Sequence, residues 1–199
     1  MNPNDIGKAY DKITHLWERE GFNRKNGIEQ HERAIAFVKN RGCALDVGCG
    51  STGRLIDLLL ENGFSAEGVD ISSEMIKLAT KKHPEINFYH ENICDWALPK
   101  KYDFITAWDS IWHVPLEEQE KVLVKIFSGL NRDGVCIFSG GGVDEQGDHK
   151  DDSMGQEVYY STLGISGFLK VIEDSNCICR HLEYDQYPEL HTYFIVQKS

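Results

Sequence analysis

Three glycines, three aspartates and a histidine carry most of the chemistry that can be read from this sequence. In "ALDVGCGSTG" the glycines Gly48, Gly50 and Gly53 follow the G-x-G-x-x-G spacing, with Asp46 two residues before the first of them. A strand running into such a turn and then a helix offers backbone N–H groups and a positive helix end to a ligand at the carboxyl edge of a sheet. Glycine is needed where a side chain would block close approach or forbid the backbone angles. A tight strand-to-helix turn with no ligand would use the same glycines. Asp70 ends the run "EGVDIS", where an acid can accept hydrogen bonds from both hydroxyls of an adenosine ribose; capping the next helix is its structural alternative. Asp46 separates the possible nucleosides. A carboxylate within a buried apolar strand is costly unless paired, would be repelled by a pyrophosphate, and would attract a ligand carrying an ammonium and a sulfonium.

Elements that could position these residues follow from residue 43 onward, as short apolar runs alternating with amphipathic stretches, the pattern of a parallel sheet with helical crossovers. Strands are expected at Cys43–Val47, Ala66–Val69, Ile86–Tyr89, Phe104–Trp108 and Val135–Phe138. Helical spacing links Leu55, Leu58 and Leu59, then Met75, Ile76 and Ala79 behind a cap at Ser72 or Ser73. A longer helix is expected from Leu116 to Leu130 and another from about Leu163 to Asp174. The last two strand-like runs, Ile178–Tyr184 and Thr192–Gln197, are separated by too few residues for a helical crossover, so they should pair antiparallel. Residues 5 to 40 read as helical and aromatic-bearing. Asp144–Ser153 reads as irregular, with Gly140-Gly141-Gly142 before it as a hinge or a plain connection.

A chain of 199 residues suits one domain. No apolar run approaches the ~20 residues of a membrane span, and the amino terminus lacks the pattern of a secretory signal, so a cytoplasmic setting is expected. Six cysteines without a Cys-x-x-Cys pair read as reduced thiols, and the histidines show no zinc spacing, so no metal is expected. The net charge of -11 disfavours nucleic acid and favours small substrates.

"ALDVGCGSTGR" resembles the first motif of the class I S-adenosylmethionine-dependent methyltransferases, and "GVDISSEMIKLA" their second strand and following helix. "NFYHENICDW", "YDFITAWDSIWHVP" and "LNRDGVCIFSG" are similar to the next three strand regions, and "HTYFIVQKS" to the final strand. The resemblance implies an α/β fold, a Rossmann-like seven-stranded mostly parallel sheet with a C-terminal antiparallel strand and helices on both faces. It implies a single methyltransferase domain: an N-terminal helical cap at 1–40, a cofactor-binding core at 41–140, and a substrate-side loop and C-terminal hairpin at 141–199. It implies that Asp46 and the backbone at Gly48, Cys49 and Gly50 hold the methionine portion of S-adenosylmethionine. Asp70 would hold the ribose, Ile71 and Met75 would flank the adenine, and Asn92 and Ile93 would lie at its edge. Asn92 stands where many relatives have an aspartate. Trp108 would form the cofactor wall where it meets the substrate.

Methyl transfer is an in-line displacement that needs alignment and exclusion of water, and a base only when the acceptor carries a proton to lose. Asp109 and His113, four residues apart in "AWDSIWHVP", are candidates for that base, with loop support as the alternative for His113. Tyr160, beside Tyr159, is a candidate for the substrate wall; Trp112 reads as packing and His191 as an edge residue. Tyr10 and Trp17 share a helical face and could pack or cover the cofactor, and residues 143–160 could close as a lid. The expected activity is methylation of a small molecule. An NAD-dependent oxidoreductase, which leaves Asp46 unexplained, and a non-catalytic S-adenosylmethionine-binding module stand as alternatives.

Overall fold

The apolar runs assemble into one seven-stranded sheet in a computed structural model that describes residues 2–199. Its strands are β1 (Cys43–Val47), β2 (Ser65–Asp70), β3 (Asn87–His90), β4 (Tyr102–Ala107), β5 (Leu130–Gly141), β8 (Cys177–Glu183) and β9 (His191–Lys198); β6 (Gly147–Asp151) and β7 (Val158–Thr162) form a separate hairpin. The order is β3-β2-β1-β4-β5-β9-β8. The first five strands run parallel, and β9 is antiparallel to both β5 and β8. The chain leaves β1 towards β2 on one side and later fills β4 on the other, so a crevice forms at the carboxyl ends of these strands.

Alternation along the buried strands supplies both faces. Leu45, Val47, Ile105, Cys136, Phe138 and Phe194 point to the side covered by α6 (Leu116–Ser128) and α7 (Gly164–Asp174). Ala44, Phe104, Val135, Ile137 and Ile195 point to α3 (Ile28–Ile35) and α4 (Arg54–Glu61). Asp46, two residues from Ala44, falls on this second side, towards α4. The remaining helices are α1 (Pro3–Ile13), α2 (His15–Glu18) and α5 (Ser73–Lys82), the last capped by the Ser72 side chain on the Met75 N–H at 3.1 Å.

Three sequence expectations are corrected. The helix expected through Leu130 stops at Ser128, because Gly129 ends it and Leu130 opens β5. The stretch expected to be irregular contains β6, whose exposed polar residues hide a strand paired with β7 from Gly147↔Thr162 to Asp151↔Val158. The triple glycine is no hinge at its first two positions, since Gly140 and Gly141 pair with Thr192 and His191 inside the sheet. Packing explains the choice of glycine there: a Cβ on Gly140 would lie 2.8 Å from the ring of Phe168, which packs on Phe138 and Phe194.

Gly140→Ala therefore tests whether that position is packed or hinged. A glycine to alanine change at a compatible site stabilises by ~0.4–1 kcal/mol, whereas overpacking a core costs ~1–3 kcal/mol. Urea denaturation is expected to show destabilisation in the second range. Gly147→Ala, where a Cβ meets nothing within 4 Å, should stay within ~0.5 kcal/mol of the wild type.

Candidate functional site

A cavity of about 290 Å³ opens at the carboxyl ends of β1, β2 and β4 and is walled on its outer side by residues between Pro3 and Asn26, including Tyr10, Trp17, Phe22 and Asn26. The glycine loop forms its inner edge. The N–H groups of Gly48 and Cys49 both donate to the Val69 carbonyl, at 2.8 and 3.1 Å, and that of Gly50 donates to Asp70 Oδ2 at 2.9 Å. Three consecutive N–H groups thus turn to the end of β2. The expectation that this turn offers its N–H groups to a ligand is corrected, because β2 ends in a carbonyl and a carboxylate that take them first. At Gly48, φ is +74° and a Cβ would fall 2.3 Å from Ser110 Cβ, so only glycine allows β1 and the chain after β4 to approach so closely.

Asp70 lines the cavity while also holding the loop. Its other oxygen accepts the Ser72 N–H at 2.8 Å. Burial raises its pKa, and the hydrogen bonds from Ser72 and Gly50 oppose that shift. An ionised carboxylate has about four acceptor positions, so two remain for a ligand. Ile71, Met75, Asn92 and Ile93 continue this wall. The amide of Asn92 is partly engaged, accepting the Cys94 N–H at 3.0 Å and donating to Asp95 at 2.9 Å.

Asp46 is buried and is not part of the cavity wall, which the loop itself forms from Val47 to Gly50. Burial pushes its pKa up to about 7; Arg54 draws it down and Asp70 adds to the rise. Arg54 does line the cavity, with Nε on the Asn26 carbonyl and Nη1 on Thr52 Oγ1, both at 3.1 Å.

Beyond β4 the structure brings Trp108, Asp109 and His113 to the same cavity. Trp108 follows the strand rather than ending it, and its ring packs against His31, His191 and Tyr193. Asp109 accepts Asn26 Nδ2 on one oxygen at 3.1 Å and His191 Nε2 on the other at 3.0 Å. His113 is fully engaged. A carbonyl can only accept, so Nδ1–H donates to Tyr159 O at 2.8 Å, and Nε2 accepts from Tyr10 Oη at 2.6 Å and Trp112 Nε1 at 3.0 Å. Burial lowers its pKa to about 4. With both ring nitrogens bonded to protein groups, the arrangement fits a positioning role and not the base expected as one possibility. Tyr160 lines the cavity, its ring centroid 4.9 Å from that of His113.

Three contributors escaped the sequence reading, Arg54, Asn26 and Asp185, and a fourth, His191, was read as an edge residue. Asn26 and Asp185 sit in loops with no periodicity to mark them, and His191 is the first residue of β9. Arg54 alone had a local signal, as a cation at the first position of a helix, where the dipole disfavours it.

The chain matches the Methyltransferase domain family over residues 14–173. It is 25% identical over 145 residues to an uncharacterized methyltransferase of Alkaliphilus oremlandii, covering 68% of this chain and 67% of that protein. It is 27% identical over 140 residues to the dTDP-3-amino-3,6-dideoxy-alpha-D-glucopyranose N,N-dimethyltransferase of Streptomyces fradiae, covering 67% of this chain and 52% of that protein. The chain thus spans about half to two thirds of these relatives. Its fold is similar to that of a magnesium protoporphyrin IX methyltransferase from Synechocystis with bound S-adenosylmethionine, at a TM-score of 0.75 and 18% identity over 100% of this chain and 98% of the other.

The raised pKa of Asp46 has a measurable consequence. A carboxyl that titrates near 7 when folded and near ~4 when unfolded binds its proton more tightly in the folded chain. Its contribution to stability is complete below the unfolded pKa and is lost as pH rises through the folded one. Thermal midpoints of the unliganded protein between pH 5 and 8 should fall more steeply with pH in the wild type than in Asp46→Asn. Parallel curves would mean that Asp46 titrates as an ordinary acid.

Proposed function

The chain belongs to the Methyltransferase domain family, and on that premise we propose that it transfers the methyl group of S-adenosylmethionine to a small-molecule acceptor in this cavity. The observation that carries the choice of cofactor is the direction of the loop N–H groups. With those of Gly48, Cys49 and Gly50 turned to β2, that edge has few donors for a pyrophosphate, while Asp70 keeps acceptor positions for a ribose. An NAD site would use the same ribose carboxylate but would need those donors for its pyrophosphate.

The residues present fit an adenosine with an amino-acid tail. Asp70 would accept the ribose hydroxyls, Ile71, Met75 and Ile93 would enclose the adenine, and Asn92 would meet its edge with the amide hydrogen it has left. Gly48, Cys49 and Gly50 would run beneath the methionine portion, with Asp46 behind them and Trp108 beside them. When bound, S-adenosylmethionine supplies a methyl carbon made electrophilic by its positive sulfur. The protein's part is to align the acceptor and keep water out. Tyr10, fixed by His113, closes the outer side with Trp17 and Phe22, so of the cap expected at 1–40 the part from Pro3 to Asn26 would cover the core at 41–140, while α3 belongs to the core itself. Tyr160 carries the wall into the substrate side at 141–199, and Asp109 is the group placed to take a proton from the acceptor.

A small acceptor is supported by the modest volume of the cavity and by the sugar substrate named for the Streptomyces fradiae relative. The net charge of -11 argues against nucleic acid. No helix among the described residues is long and apolar enough to cross a membrane. The six cysteines are unpaired, which suits the reducing cytoplasm.

Thermal shift distinguishes the cofactors. S-adenosylmethionine and S-adenosylhomocysteine should each raise the midpoint, by the equivalent of about 2.7 kcal/mol at a hundredfold excess over Kd, and NAD should leave it unchanged. A shift with NAD alone would overturn the reading. Asp70→Ala should weaken S-adenosylhomocysteine binding by ~1.5–3 kcal/mol in calorimetry, the scale of a hydrogen bond to a charged group. Unchanged affinity would remove Asp70 from the ribose site.

A further inference from the structure

Among the described residues, Asp109, Asp133 and Asn176 are the non-glycine positions with positive φ, and of these Asp109 lines the cavity. At φ +53° its backbone sits in the left-handed region, which persists only where the surroundings hold it. Here they do. Its N–H donates to Ser139 Oγ at 2.7 Å, and its carboxylate accepts from Asn26 and His191.

Behind Asp109 lies a second carboxylate. His191 Nδ1 bonds Asp185 Oδ1, whose other oxygen accepts Gln30 Nε2 at 2.9 Å. Carboxylates only accept, so with one on each ring nitrogen His191 donates from both and is an imidazolium. Burial opposes that charge, but the hydrogen bonds to Asp109 and Asp185 outweigh it and raise the pKa. The side chains of His191 and Asp185 are 8% and 4% exposed, and that of Asp109 is 31% exposed. Two negative charges and one positive leave a net negative charge whose open end is Asp109.

The one counter-charge on the cavity wall is Arg54, whose pKa burial lowers while the charges of Asp109 and Asp46 hold it up. Among the described residues no lysine lines the wall, and Arg54 directs Nε and Nη1 to Asn26 and Thr52 and makes no ion pair with Asp109, so its charge is shared among several carboxylates. Asp70 and Glu91 add negative charge. Tyr10, Trp17, Trp112 and Tyr160 supply aromatic faces, which attract a cation and cover an apolar body.

The geometry points to a primary or secondary amine, protonated on arrival, as the methyl acceptor, its ammonium bound by Asp109 and its apolar body by the aromatic wall. This rests on the methyltransferase reading. The acceptor nitrogen passes one proton to the Asp109 carboxylate and exposes its lone pair; that pair forms the N–C bond as the methyl–sulfur bond breaks, sulfur keeps the bonding electrons, and the product leaves as a methylammonium. A carboxylate pairs directly with an ammonium of pKa ~10, and the gap it must cross to take that proton is far smaller than for an alcohol.

Calorimetry on the protein saturated with S-adenosylhomocysteine tests this with three probes of one shape: 2-phenylethylamine, 2-phenylethanol and phenylacetate. The amine should bind at least about tenfold more tightly than the alcohol, with phenylacetate weakest. In Asp109→Asn the preference should fall below about twofold. Equal or tighter binding of the alcohol or the acid by the wild type overturns the inference without any variant, as does a preference that survives Asp109→Asn. Failure to bind S-adenosylhomocysteine at all would instead count against the methyltransferase reading.

Discussion

One carbonyl and one carboxylate at the end of β2 set the form of the site. Val69 O and Asp70 draw in the N–H groups of Gly48, Cys49 and Gly50, and this fixes the loop between β1 and α4 against the neighbouring strand. The same contact makes Asp70 both a brace and a wall. Buried backbone donors must be satisfied, and these three are satisfied within the protein. A glycine fingerprint that reads in sequence as a cradle of donors therefore gives its first three N–H groups to the neighbouring strand.

Charge is arranged around this loop in a definite order. Asp46 lies behind it, Arg54 beside it, and Asp109, His191 and Asp185 form a line beyond β4. Burying charge is costly unless each group is compensated. Arg54 carries the added penalty of standing at the positive end of α4. Its compensation comes from Asn26, whose carbonyl accepts from Arg54 while its amide donates to Asp109. One residue of the amino-terminal segment thus joins the cation to the substrate-side anion. Asp11 holds Ser72 and the Glu74 N–H, and Glu18 holds Ser51 and Lys82. The segment is tied to both sides of the cofactor cavity and is as much a part of the site as the sheet.

The sheet was legible because its strands are buried on both faces and read as continuous apolar runs, and because short links force antiparallel pairing at the end. Gly48, Asp70 and Asp109 were legible because local spacing places them at or just beyond strand ends. What escaped depended on distant partners. His113 and Asp109 are equivalent in sequence as a base pair of candidates four residues apart, yet Tyr10 and Tyr159 occupy both nitrogens of one, and an open cavity meets the other. The hairpin β6–β7 escaped because its outer strand is exposed throughout and carries no apolar alternation. Asp46 was legible as a buried carboxyl because it interrupts an apolar strand, but its place behind the cavity wall, not on it, depends on how the loop folds over it.

His113 shows what the fold gains from giving up a base. Its ring is held by α1 through Tyr10, by its own turn through Trp112, and by β7 through the Tyr159 carbonyl. Three segments far apart in the chain meet on one imidazole, and the contact requires the neutral form, with its proton on Nδ1. Burial secures that form by lowering the pKa to about 4. At neutral pH the cap, the hairpin and the turn after β4 therefore stay joined, while at His191, a neighbour of the same Trp112 ring, two carboxylates outweigh burial and favour the opposite state. The neutral histidine closes the cavity and the charged one sustains the anion inside it, so burial and pairing have divided one residue type between structure and recognition.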